Sequence, residues 1–148
     1  MFWQLLILSL PTDNATARMR AWRALKACGA AVLRDGVYVL PDGEGSERSL
    51  ASVAADVRVH GGTARLLRAE AADGEDFAPL FDRGADYGAL LAEIGALAPR
   101  RSAKALVDSL RQSRRLRKAF DQLTAIDFFA GEAQRQTAVA LQALELAV

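Results

Sequence analysis

An α+β fold, with one antiparallel sheet followed by helices, is predicted by three features of the sequence. An Asp-Gly pair, Asp35-Gly36, separates two short apolar runs in LRDGVYVLP; a nine-residue apolar run opens the chain; and the apolar residues beyond residue 75 fall at helical spacing. The Asp-Gly pair is the signature of a two-residue type I′ hairpin turn and pins the register of the strands on either side.

Phe2 to Leu10 reads as a central strand, because it is continuously apolar apart from Gln4 and Ser9 and stops at Pro11. Thr12, Asp13 and Asn14 supply N-cap side chains for a helix through about Cys28, with Met19, Trp22, Leu25 and Cys28 expected as its buried stripe and Gly29 as its stop. Ala31 to Arg34 and Val37 to Leu40 form the hairpin. After PDGEGS, Ser46 is expected to cap a second helix to about Val59, with Leu50, Val53, Ala54 and Val57 inward. Gly61-Gly62 ends it, and Thr63 to Ala69 is a fourth strand with Ala64 and Leu66 on one face. Strand, helix, strand, strand, helix, strand is the order of the split βαβ, or ferredoxin-like, arrangement: a four-stranded antiparallel sheet with two helices on one face.

Residues 1–70 are therefore read as a ferredoxin-like domain and residues 71–148 as a helical extension. The extension opens on the acidic ADGEDF and continues through helical stretches, Phe77 to Ala98, expected to be interrupted by Pro79, Gly84, Gly88 and Gly95. Pro99 starts a long amphipathic helix from Arg100 to about Leu123, with Ala103, Leu106, Leu110, Phe120 and Leu123 inward. A last helix runs from Glu132 to the end, with Val139, Leu141, Leu144 and Leu146 as its apolar content.

The near-neutral total, 19 basic against 18 acidic side chains, conceals an uneven distribution. Residues 1–70 carry nine basic and seven acidic side chains, residues 71–99 one and six, and residues 100–148 nine and five. Sixteen of the basic residues are arginine, whose planar fork suits phosphates and other oxyanions, although an arginine-rich genome gives the same bias. The stretch RRSAKALVDSLRQSRRLRK concentrates eight basic residues: Arg100, Arg101, Lys104, Arg111, Arg114, Arg115, Arg117 and Lys118, against Asp108 alone. Steps of seven, four and three residues put Lys104, Arg111, Arg115 and Lys118 on one side of a helix, a pattern able to neutralise duplex phosphates. The competing reading is a solvated face paired with the acidic residues 71–99.

Arg18, Arg20 and Arg23 on the first helix, with Arg34 on the neighbouring strand, are the candidate oxyanion-binding group, and the start of that helix adds free N–H groups. Cys28 is expected to be a small buried apolar residue and His60 a turn residue. With one cysteine and one histidine, no disulfide and no Cys/His zinc set can form. No phosphate-loop, nucleophile-elbow or paired-histidine motif occurs, so no catalytic residue, metal or cofactor is expected and the chain reads as a binding or regulatory module, not an enzyme. The apolar start is too short to span a bilayer and lacks a cleavage site, which points to a cytoplasmic protein with no membrane partner.

The stretch WQLLILSLPTDNATARMRAWRALKACGAAVLRDGVYVLP and the later RRLRKAFDQLTAIDFFAGEAQRQ resemble the N-terminal domain of the chromate-resistance regulator ChrB family. The resemblance implies a cytoplasmic transcriptional regulator that binds operator DNA and takes part in a stress response to chromate. ChrB-type regulators continue into a C-terminal domain, whereas this sequence stops at Val148. A separate sensor domain, or a second copy of the chain, is therefore an alternative partner, and chromate or another oxyanion an alternative ligand. A more distant similarity is to Cas2 nucleases and the Cas2-like ferredoxin-fold domain of phenylacetate-responsive repressors. Where Cas2 proteins place a metal-binding aspartate, this chain has Ser9-Leu10-Pro11, which argues against metal-assisted phosphodiester cleavage.

Overall fold

The computed structural model describes residues 1–97 and 103–148, except for the side chain of Ala103. It is an α+β structure with a four-stranded antiparallel sheet and, among the described residues, five α-helices. The chain divides into two compact units, Met1–Phe81 and Asp82–Val148, so the first unit runs past the boundary expected at residue 70.

In the first unit the order is β1 (Trp3–Ser9), α1 (Ala15–Ala27), β2 (Ala31–Arg34), β3 (Val37–Pro41), α2 (Glu44–Val59) and β4 (Thr63–Ala69), with the strands arranged β2-β3-β1-β4. β1 is central: Leu6 lies opposite Tyr38 on one side and opposite Leu66 on the other. Asn14 caps α1 by accepting from the Ala17 N–H at 3.1 Å. α1 and α2 close alike. Gly29 and Ala30 donate to Lys26 and Leu25, and Gly61 and Gly62 donate to Arg58 and Val57, which satisfies the last carbonyls of each helix.

α2 buries Leu50, Val53, Ala54 and Val57 as expected, but starts at Glu44 with Gly43 as the N-cap, three residues ahead of the expected cap Ser46. α1 differs more. Ala17, Ala21 and Leu25 form its buried stripe, whereas Met19 and Trp22, expected inside, are 47% and 49% exposed. The stripe at four-residue steps presents small side chains, which lets α1 lie close beside α2. The hairpin turn is not type I′, because that turn needs positive φ at both central residues and only Gly36 (φ 79°) has it. The mismatch is taken up by a register shift between Val32 and Arg34. Gly36 also sits against β1: its carbonyl accepts from the Leu8 N–H at 2.8 Å, and an added Cβ would lie 2.7 Å from the Leu8 carbonyl oxygen.

On the sheet face carrying Trp3 and Val39, residues past β4 supply the cover. Phe77 meets the Trp3 indole edge-on at 5.2 Å, and Phe81, at the end of a 3₁₀ turn (Ala78–Phe81), stacks on it at 5.9 Å. Trp3 and Phe81 are each 1% exposed.

The second unit comprises α3 (Gly84–Ala96), α4 (Ala103–Ala125) and α5 (Glu132–Ala147) around a core of Tyr87, Leu90, Ile94, Leu116, Phe120 and Leu141. Gly88 and Gly95, expected to interrupt the helix, lie inside α3, and Gly84 is its first residue. The Tyr87 hydroxyl donates to Asp127 Oδ2 at 2.8 Å, tying α3 to the α4–α5 loop. In α4 the inward seam is Ser109, Ser113, Leu116 and Phe120. Leu106, expected inside, is 46% exposed, and Ala103 cannot be placed on either face because its side chain lies outside the described set. In α5 the buried residues are Thr137 and Leu141, with Val139 and Leu146 exposed.

Candidate nucleic-acid interface

α4 is a strongly amphipathic rod. Its buried seam, Ser109, Ser113, Leu116 and Phe120, advances in steps of four and three, and Lys104, Arg111, Arg115 and Lys118 lie close to the opposite side of the helix wheel. Arg114 stands beside Arg111 and Lys118. Arg100 and Arg101, expected at the start of this helix, lie outside the described residues.

The six described cations differ in what already holds them. Arg117 is tied into the structure: its Nε donates to Glu145 Oε2 at 2.9 Å, its second amino group reaches Glu145 Oε1, and Asp121 lies 3.6 Å away. The guanidinium also lies over the Phe120 ring, 5.4 Å from the centroid. Hydrogen bonding to Arg117 holds the Glu145 carboxyl below the usual carboxylate range, and the same contact raises the pKa of Arg117. Arg115 donates to Gln112 at 2.8 Å and approaches Glu93 of α3 at 3.7 Å, with both partners of that ion pair 53% exposed. The Glu93 contact is the one described ion pair between α4 and the acidic residues 71–99. Lys104, Arg111, Arg114 and Lys118 are exposed and have no ion pair among the described residues. Lys104 and Lys118 are separated by about 21 Å along the axis at 1.5 Å per residue. A row of this kind offers mobile cations to a polyanion without first breaking internal pairs.

The four arginines considered for an oxyanion are not gathered round one point. Arg18 lines a cavity of about 760 Å³ between α1, the end of β1 and the hairpin, and donates to the Thr12 carbonyl at 3.2 Å. Arg20 lines a separate, smaller pocket and is paired with Asp56 at 2.8 Å. Arg23 is exposed on α1. The register sets Arg34 beside Val37, whose neighbour on β1 is Ile7, on the sheet face away from the Leu8 and Tyr38 that line the α1 cavity. Asn14 has already taken one of the N–H groups at the start of α1.

Burial raises the Cys28 thiol above its ordinary pKa, and the sulfur donates to the Leu25 carbonyl, as suits an unreactive small side chain. His60 Nδ1 is 2.8 Å from the Asp56 carbonyl oxygen at the end of α2. Among the described residues no group of three or more His, Cys, Asp or Glu side chains could hold a metal ion, and no helix is long and apolar enough to cross a membrane. Sequence reasoning missed the buried serines of α4, which carry no apolar signal. It also missed the cavity flanked by Met19 and Trp22, because large apolar side chains at helical spacing read as core.

These features define the class: an α+β unit joined to a helical unit that displays a cationic helix. The chain belongs to the family described as Protein ChrB, N-terminal, whose model matches residues 18–148. It is 38% identical over 134 residues to Protein ChrB of Cupriavidus metallidurans, a match covering 88% of this chain and 41% of that protein. The chain thus spans about two fifths of the length of that curated relative. No solved structure gives a significant match.

Proposed function

We propose that the chain is a non-enzymatic, cytoplasmic regulatory module of a chromate-resistance system that contacts operator DNA through the exposed face of α4. The observation carrying this reading is the row Lys104, Arg111, Arg114 and Lys118, exposed and without ion pairs among the described residues, opposite the seam that fixes the helix to its unit. Arg115 extends the row at small cost, since its ion pair with Glu93 is half exposed and such pairs contribute under about 1 kcal/mol. Arg117 serves to hold α4 against α5. Membership of the ChrB family supports the regulatory setting. We assign the first unit to the ferredoxin-like arrangement: its βαββαβ element order and its β2-β3-β1-β4 sheet support that assignment.

The test is fluorescence anisotropy with a labelled duplex over a salt series. Five phosphate contacts, the row and Arg115, give a log–log salt slope near −4.5, or about a 500-fold loss of affinity between about 50 and 200 mM salt. The Arg111→Gln, Arg114→Gln, Lys118→Gln variant, which keeps Lys104 and Arg115, should retain a slope near −1.8. Equal slopes for the two proteins would remove α4 from the interface.

A second reading, docking on a second copy or a separate sensor domain, is favoured by the sheet residues Ile7 and Leu67, 40% and 45% exposed on the face away from α1. Light scattering of the chain alone and mixed with that domain distinguishes the two: a single-chain mass that does not change on mixing counts against docking.

A further inference from the structure

We propose that the cavity between α1 and the β2–β3 hairpin binds a small planar aromatic molecule carrying a carboxylate at one end and an ammonium or amine donor at the other. The cavity, about 760 Å³, falls in the size range of small-molecule sites and lies wholly within the first unit. Leu8, Leu10, Met19 and Trp22 supply its apolar wall. Met19 and Trp22 leave about half their surface in water, an unfavourable placement that a flat apolar ligand would relieve. Met19 can adapt to the outline of a ring, and the Trp22 indole offers it a stacking or edge contact. Lys26 lies over the Trp22 ring, 5.0 Å from its centroid, and so limits how that indole can turn.

The polar groups on the wall set the ligand's charges. Arg18 spends one amino group on the Thr12 carbonyl, and its remaining N–H groups can fork onto a carboxylate. Asp35 lines the same cavity from the hairpin turn, and among the described residues neither it nor Arg18 has an ion pair. One cation and one anion facing a shared apolar space without meeting each other match a molecule charged oppositely at its two ends. Tyr38 also lines the cavity and adds a hydroxyl donor; burial, and then the Asp35 carboxylate, push its pKa above the ordinary value.

This inference is independent of the α4 reading, because the cavity and α4 belong to different units. Three probes test it: 4-(aminomethyl)benzoate, benzoate and benzylamine, each titrated into the full chain with Trp fluorescence and calorimetry as readouts. The double-ended probe should bind saturably and at least about tenfold tighter than either single-ended probe, the discrimination expected of one charged hydrogen bond. Arg18→Met should bring it down to the level of benzylamine, and Asp35→Asn to the level of benzoate. Trp22→Phe should abolish the fluorescence response while calorimetric binding persists. Circular dichroism confirms that each variant is folded, and Arg18→Lys, which keeps the charge, should restore part of the affinity. The inference is overturned by no saturable binding at millimolar concentration, by equal affinity for all three probes, or by folded Arg18→Met and Asp35→Asn variants that bind the double-ended probe as the unmodified chain does.

Discussion

Replacing Gly36 with alanine tests the reasoning about the hairpin most directly. Two costs fall on that substitution. A left-handed φ of 79° disfavours any residue with a Cβ, by about 1–2 kcal/mol. The new Cβ would also lie 2.7 Å from the Leu8 carbonyl oxygen, a backbone atom that cannot swing aside as a side chain would. Relief requires moving β1 from the turn, which puts the 2.8 Å bond from the Leu8 N–H to the Gly36 carbonyl at risk, a further ~0.5–1.5 kcal/mol. The total is about 1.5–3.5 kcal/mol. Gly74→Ala is the control, because Gly74 has a φ of 77° and nothing within 4 Å of its added Cβ, so it should lose only about 1–2 kcal/mol. Both tryptophans, Trp3 and Trp22, lie in the first unit, so urea unfolding followed by intrinsic fluorescence reports that unit selectively. Equal losses in the two variants would refute the claim that close approach to β1, beyond the sign of φ, makes position 36 a glycine.

Leu116→Ala empties a fully buried site in the second unit and should cost about 2–5 kcal/mol, read as an earlier loss of helical circular dichroism. Burial, and then the bond to Asp127, raise the Tyr87 pKa well above that of free tyrosine. A raised folded pKa gives stability that is complete below the unfolded value near 10 and is lost as pH climbs beyond it, so the second unit should weaken in strong alkali. Tyr87→Phe should flatten that dependence in circular dichroism melts. Hydrogen bonds from Arg68 and Gln4 depress the Asp42 carboxyl below its ordinary range. Its stabilising contribution is therefore present at neutral pH and disappears in acid, and Arg68→Gln should raise the carboxyl's midpoint in an NMR titration.

Much of the first unit was legible because its signals are local. An Asp-Gly pair between apolar runs marks a hairpin wherever it occurs, and Leu50, Val53, Ala54 and Val57 leave α2 a single inward face. In the packing of α1, side-chain size is a poor guide to burial. Ala17 and Ala21 are too small to dominate a hydropathy pattern, yet they allow close approach to α2, and the larger Met19 and Trp22 are left at the rim of a cavity. Ser109 and Ser113 repeat the lesson in α4: small polar side chains occupy the inner seam while Leu106 stays outside. Gly88 and Gly95 look like breaks, each costing about 1 kcal/mol relative to alanine, but burial of Tyr87, Leu90 and Ile94 outweighs that in α3. The cationic stripe could be read from spacing alone. Which of its members are already held could not, because Glu93 and Glu145 lie on other helices, far from Arg115 and Arg117 in sequence.

The aromatic stack behind the sheet also dictates where the first unit can be cut. A fragment ending at residue 70 would keep all four strands and both covering helices yet bare the indole of Trp3, inviting dye binding and self-association. One ending at Phe81 carries its own lid of two phenyl rings and should behave as a well-mannered monodisperse sample.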